Sequence, residues 1–207
     1  MAKFNSTTFG TISGRHGTAV AATTKDGQCI LRVFKAPSNP RTDAQVAQRA
    51  KFAMVNHDLS VFSEQFKITF GSSRGINQAV SLALANAVTG SYPNFALDYS
   101  QLTVATGSVQ KAETVSCKSL GSSKVEIDWD ATAGTPVRES DAVSVLFFNE
   151  ASQLPVLKES IALRKDGKAE VTVPTVWAGA SVHCWIYFTA PDGSQTSTSQ
   201  YISQLAL

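Results

Sequence analysis

The sequence predicts a mainly β fold with a small α part: an N-terminal β-hairpin plus helical hairpin, followed by a C-terminal antiparallel β-sandwich. Three observations predict it. Lys25-Asp26-Gly27 separates two strand-like runs, and Asp-Gly between such runs is a hairpin signal. From Asp43 the apolar residues fall at helical spacing. From Tyr92 to the end, short strand-like runs recur with turn residues between them. The expected division is residues 1–91 for the strand and two-helix module and 92–207 for the sandwich.

In the first module, residues 4–12 and 17–24 are rich in Thr, Val, Ala and Phe, with Gly10, Gly14 and Gly17 between them. They read as two strands around a Gly-rich bend. The second leads through the Asp-Gly turn into Gln28–Phe34. Alternation places Cys29, Leu31 and Val33 on one face, and Ile30, Arg32 and Phe34 on the other. Asn39-Pro40-Arg41-Thr42-Asp43-Ala44-Gln45 then switches the period. Pro40 keeps Asn39 out of the helical region. Thr42 and Gln45 have the spacing of a capping box, and Asp43 suits the positive end of a helix dipole.

The first helix is expected from about Asp43 to about Phe62. Phe52, Val55, Leu59, Phe62 and Phe66 form one apolar stripe. Gly71-Ser72-Ser73-Arg74-Gly75 reads as a helix–helix loop, and an anion site on its backbone is the lesser reading because the Lys-Ser/Thr of a phosphate loop is missing. A second helix is expected over about Ile76–Val88, with Gly90 as its left-handed C-terminal cap.

In the second module the expected strands are Gln101–Thr106, Ala112–Ser119, Lys124–Asp130, Ala142–Asn149, Val156–Arg164, Ala169–Pro174, Ser181–Ala190 and Gln195–Leu205. Alternation is strict in Val125, Ile127, Trp129 and in Val182, Cys184, Ile186, Phe188. Trp185 therefore lies on the opposite face from Cys184 and is free to face the front module. Val125–Trp129 and the late strand Val182–Ala190, followed by Pro191-Asp192-Gly193 and a Ser/Thr-rich last strand, resemble a fibronectin type III or immunoglobulin-like sandwich. That resemblance implies a binding or spacer module.

A second resemblance spans nearly the whole chain. It rests on Gly14-Arg15-His16-Gly17, Asn39-Pro40-Arg41-Thr42, Gln48-Arg49-Ala50-Lys51-Phe52, Asn86–Phe95 and Ser197–Tyr201. With these the chain is similar to a family of uncharacterised bacterial proteins, filed as a domain of unknown function. The family carries no assigned active site to transfer.

Hydrophobic content of 43% and charged content of 16% describe a folding chain and exclude a disordered one. No apolar run is long enough for a transmembrane helix, and the start Met-Ala-Lys-Phe-Asn-Ser has no apolar core of a classical signal peptide. A cytoplasmic or virion-associated location is the expectation. Three well-separated cysteines, Cys29, Cys117 and Cys184, argue against a disulfide framework and read as buried apolar residues.

Candidate chemistry is sparse. His16, His57 and His183 lack metal-ligand spacing, and His183-Cys184 point to opposite faces of a strand. His57 reads as half-buried. Asp128 and Asp130 share a face with Glu126, which suits a solvated sheet surface better than acid–base work. No cofactor and no enzymatic activity are expected. Charge is polarised: residues 1–75 hold ten Lys/Arg and four Asp/Glu, whereas residues 76–207 hold eight and twelve. Arg15, His16, Arg32, Arg41, Arg49, Lys51 and Arg74 are the candidate interaction surface. The function expected from this pattern is a non-catalytic structural or binding protein, a self-assembling subunit of the virion or surface-filament type whose partners are copies of itself. The alternative is a nucleic-acid-binding accessory protein using the basic front.

Overall fold

The computed structural model describes residues 2–4, 13–36, 38–71, 75–131 and 139–207. Two compact units divide at Thr42/Asp43. This boundary does not coincide with the one expected at residue 91, because the helices share a core with the sandwich.

The first unit is a four-stranded antiparallel sheet. Its strands are β1 (Ala2–Phe4), β2 (Gly14–His16), β3 (Ala19–Thr23) and β4 (Cys29–Val33), in the order β1-β4-β3-β2. The Asp-Gly hairpin joins β3 to β4. Thr24 N–H donates to Gln28 O at 2.9 Å, so the loop is the three residues Lys25–Gly27. Only Gly27 has positive φ there, at 75°. The turn is therefore a three-residue loop closed by a left-handed glycine, not a two-residue turn with both residues left-handed. The expected strand over residues 4–12 lies mostly outside the described residues.

The second unit begins with α1 (Asp43–Leu59), a 3-10 turn (Ser60–Phe62), α2 (Ser63–Thr69) and α3 (Gly75–Asn86). The expected single helix to Phe62 is thus tightened at Ser60 and continued by α2. Val55, Leu59, Phe62 and Phe66 are all fully buried, but Phe52 at the head of the stripe is 52% exposed. Helical spacing gives the direction of a buried face and not the length of the surface that covers it. Lys51 Nζ donates to Leu84 O at 3.0 Å and ties α1 to α3. Gly90 is not a helix cap. It lies in the hairpin of β5 (Val88–Ser91) and β6 (Asn94–Leu97), where its φ is 82° and an added Cβ would sit 2.3 Å from Asn94 O.

Seven strands then build the sandwich. One sheet holds β7 (Val115–Gly121), β8 (Lys124–Trp129) and β11 (Lys168–Thr172), in the order β11-β8-β7. The other holds β9 (Ala142–Asn149), β10 (Leu154–Leu163), β12 (Ser181–Thr189) and β13 (Gln200–Ala206), in the order β10-β9-β12-β13. Two antiparallel sheets over one core make the expected immunoglobulin-like sandwich. The run expected as a strand over Gln101–Thr106 is not one. A 3-10 turn at Tyr99–Gln101 precedes an irregular segment that buries Leu102, Val104 and Ala105.

The four-stranded sheet is buried on both faces, and alternation sorts its side chains into two cores. Val143, Val145, Phe147, Val182, Cys184, Ile186 and Phe188 face Val125, Ile127, Trp129 and Trp177 inside the sandwich. Leu146, Phe148 and Trp185 face outward and meet Val55, Leu59, Phe62, Phe66 and Val80 from the helices. Phe62 stacks on Phe66 at 5.4 Å and contacts Phe148 at 4.5 Å between ring centroids. Each fully buried Phe contributes about 1.5–3 kcal/mol by removal from water. The helices are therefore a third layer of the second unit.

Candidate functional site

The candidate interaction residues fall in both units. Arg15 and His16 are adjacent on β2, exposed, and on opposite faces. Arg15 and Arg32 both pair opposite Val20, so they lie in one row across β2, β3 and β4. Phe34 follows on the same face, and the Arg15 guanidinium sits 4.0 Å over its ring. Arg15 Nε also donates to Gly17 O at 3.0 Å. The structure thus assembles an Arg–Phe–Arg face from residues spread over twenty positions. Arg41 is exposed and left-handed, with φ of 50° just before α1. Arg49 is exposed on α1, whereas Lys51 is half-buried with its ammonium on the Leu84 carbonyl. Arg74 lies outside the described residues, as does the anion-loop segment Ser72–Arg74.

The opposite face of the same sheet is apolar and partly open. Ala21 and Cys29 are buried there, but Leu31 is 36% and Val33 80% exposed. Phe34 on the basic face is 37% exposed. Leu31 and Val33 leave an apolar stretch of this face open to water. Charge follows the compact units: residues 1–42 hold six Lys/Arg and one Asp/Glu, against twelve and fifteen in residues 43–207.

The histidines separate cleanly. His57 is not half-buried but exposed, with Nδ1 3.1 Å from Asp58 Oδ1. His183 lies in an aromatic cage on the helix-facing side of β12. Its Nδ1 is 3.0 Å from Tyr201 OH, and Nε2 is 3.8 Å from Glu150 Oε2. Rings of Tyr99, Trp185 and Tyr201 stand 4.8, 5.9 and 5.9 Å from the imidazole. Burial pushes the His183 pKa below its ordinary value, although Glu150 pulls the other way. Burial also pushes Tyr99 up to about 12, helped by Glu150 and Asp58. The cage holds a neutral imidazole among rings. Among the described residues no group of His, Cys, Asp and Glu is arranged to hold a metal ion.

Asp128 is a surface residue: its Oδ2 accepts from Ser116 Oγ at 3.4 Å and lies 3.7 Å from Lys118 Nζ. An open cleft of about 350 Å³ lies beside it, lined by Thr114, Val115, Ser116, Trp129 and Asp130. The expected solvated sheet face fits these contacts.

Two constellations escaped the sequence. Arg164 is fully buried, 3.4 Å from Asp141 and 3.8 Å over the Phe188 ring, with Gln110 O accepting from its Nη2. Its carbonyl accepts from Trp129 Nε1 at 2.7 Å. Second, Cys117 Sγ is 3.0 Å from Ser203 Oγ, and Cys184 pairs opposite Ser203. Only a known strand register could have brought these partners together.

A family model matches residues 11–203, described as a family of unknown function (DUF6266). The chain belongs to that family. The match spans β2 to β4 of the basic sheet, the helices and the sandwich, so the family match covers parts of both compact units. No curated protein matches it. Among solved structures it is similar to the solution structure of the fn3 domain of human contactin 1, at 10% identity and a TM-score of 0.29, over 57% of this chain and 82% of that one. Among the described residues no helix is long and apolar enough to cross a membrane.

Proposed function

We propose that this DUF6266 protein is a non-catalytic, self-assembling subunit whose N-terminal sheet seats on the acidic second unit of another copy. The observation that carries the reading is the open sheet face on which Val33 is 80% and Leu31 36% exposed. Charge complementarity selects the partner: the unit bearing Arg15 and Arg32 is net basic, and the unit that follows is net acidic. A contact between two different surfaces of one chain is head-to-tail, and it builds rings or open filaments. A virion or surface-filament component is the form such a filament takes. The Arg15–Phe34 contact supports the second reading, nucleic-acid binding, since a basic and aromatic face suits a single strand. Two Arg residues in a row are few for that role, and the apolar opposite face is left without a use.

Sedimentation velocity over a range of concentrations tests the proposal. Species larger than the 22.0 kDa chain are expected at low salt, with a smaller share of them near 1 M salt, where screening falls to about 3 Å. A single 22.0 kDa species at every concentration in low salt overturns it.

A further inference from the structure

We propose that Cys117 and Cys184 form an oxidisable thiol pair that closes to an intersheet disulfide when the protein meets a peroxide. The two residues are 67 positions apart in sequence but pack into the same sandwich core. Cys117 is on the inner face of β7, where Val115, Cys117 and Ser119 alternate with exposed residues. Cys184 is on the inner face of β12, fully buried. Ser203 on β13 links them: it lies opposite Cys184 in the ladder and its hydroxyl is 3.0 Å from Cys117 Sγ. The register of β12 against β13 shifts between Cys184 and Trp185, so the ladder is irregular beside the pair.

The two thiols are chemically distinct. Neighbouring Cys184 brings the Cys117 pKa down to about 7, against the opposing effect of burial and with help from the Ser203 hydroxyl 3.0 Å from its sulfur. Burial pushes Cys184 well above its ordinary value. Cys117 is half-buried, whereas Cys184 is sealed in the core. A partly exposed thiol with thiolate character beside a second, protonated thiol is the arrangement of an attacking and a resolving cysteine. The Cys117 thiolate attacks one peroxide oxygen, the O–O bond breaks, and the leaving hydroxide takes a proton to become water. Cys184 sulfur then attacks the sulfur of the Cys117 sulfenic acid. The S–S bond forms, the S–O bond breaks, and the Cys184 proton leaves with the hydroxyl as a second water. The sulfurs lose two electrons and the peroxide gains two. Cys29, buried in the other compact unit beside Thr23, is the internal control.

The test treats the reduced full chain with hydrogen peroxide, then alkylates it under denaturing conditions and maps it without reduction. The expected product has lost two hydrogen atoms, links Cys117 to Cys184, and leaves Cys29 open to alkylation. Its melting temperature rises on the order of 10 °C, because the crosslink closes a long loop of the unfolded chain. In Cys184→Ala, Cys117 is expected to stop at the sulfenic acid and to be trapped by dimedone. Accumulation of sulfinic or sulfonic acid at Cys117 with Cys184 still alkylated overturns the proposal. So does a crosslink through Cys29, or no oxidation at all. If Cys184→Ala does not fold, the wild-type map decides alone.

Discussion

Truncating Phe62 to Ala tests whether the helices and the sandwich share one core. Phe62 is fully buried, stacks on Phe66 at 5.4 Å and reaches Phe148 of β9 at 4.5 Å. The change removes a ring from between two layers, and such a truncation costs about 3–5 kcal/mol from lost transfer energy plus the cavity left behind. With a urea slope of about 2 kcal/mol per molar, the midpoint falls by about 2 M. Two probes are followed together: helical ellipticity reads α1 to α3, and tryptophan fluorescence reads Trp129 and Trp177 inside the sandwich with Trp185 against the helices. One shared core predicts that both curves move together by the same amount. A loss of helical signal at low urea with the fluorescence midpoint unmoved refutes it, and restores a division of the chain near residue 91. On the shared-core account, residues 92–207 alone expose Leu146, Phe148 and Trp185 and are expected to aggregate or fold poorly.

Three further outcomes follow from the same structure. Arg164→Met removes the buried guanidinium 3.4 Å from the buried Asp141 carboxylate and is expected to cost about 3–5 kcal/mol in chemical denaturation, while pairing it with Asp141→Leu recovers much of the loss; a single variant of wild-type stability contradicts this. His183 is held neutral by burial, so the unfolded chain binds its proton more readily than the folded one. Stability is then expected to fall as pH drops below the ordinary His value of 6.5, with a flatter profile in His183→Leu, as read by thermal melts from pH 8 to 5. Fluorescence anisotropy with mixed duplex and single-stranded oligonucleotides should show only weak binding that salt abolishes; a sub-micromolar complex at physiological salt favours the nucleic-acid reading instead.

The sequence carried the architecture well where period and turn chemistry agree. The strand Ala142–Asn149 was legible to the residue, and the alternation of Val125, Ile127 and Trp129 marked the buried face of β8. Gly90 misled because positive φ serves a helix cap and a hairpin equally, and only the pairing of β5 with β6 decides between them. Phe52 misled because a stripe says nothing about where its partner surface ends. On the late strand, alternation put Trp185 opposite Cys184 and free to face the front module, and Trp185 packs against the helices. The contacts that give the molecule its chemistry were hidden for a different reason. Cys117, Cys184 and Ser203, like Arg164, Asp141 and Gln110, meet through register and sheet packing between distant segments. The basic row was half legible: alternation separates Arg32 from Leu31, but the position of Arg15 opposite Val20 needs the ladder.

The central claim is that the open N-terminal sheet binds a second copy through apolar contact and opposite charge. Light scattering on the wild type and on two variants, Val33→Glu and Arg15→Glu with Arg32→Glu, measures it most directly. All three positions are exposed, so the variants should keep the fold. The account predicts a wild-type mass above 22.0 kDa that rises with concentration at low salt, and a return to 22.0 kDa in both variants. Wild type and variants that all stay at 22.0 kDa, or that all assemble alike, would contradict it.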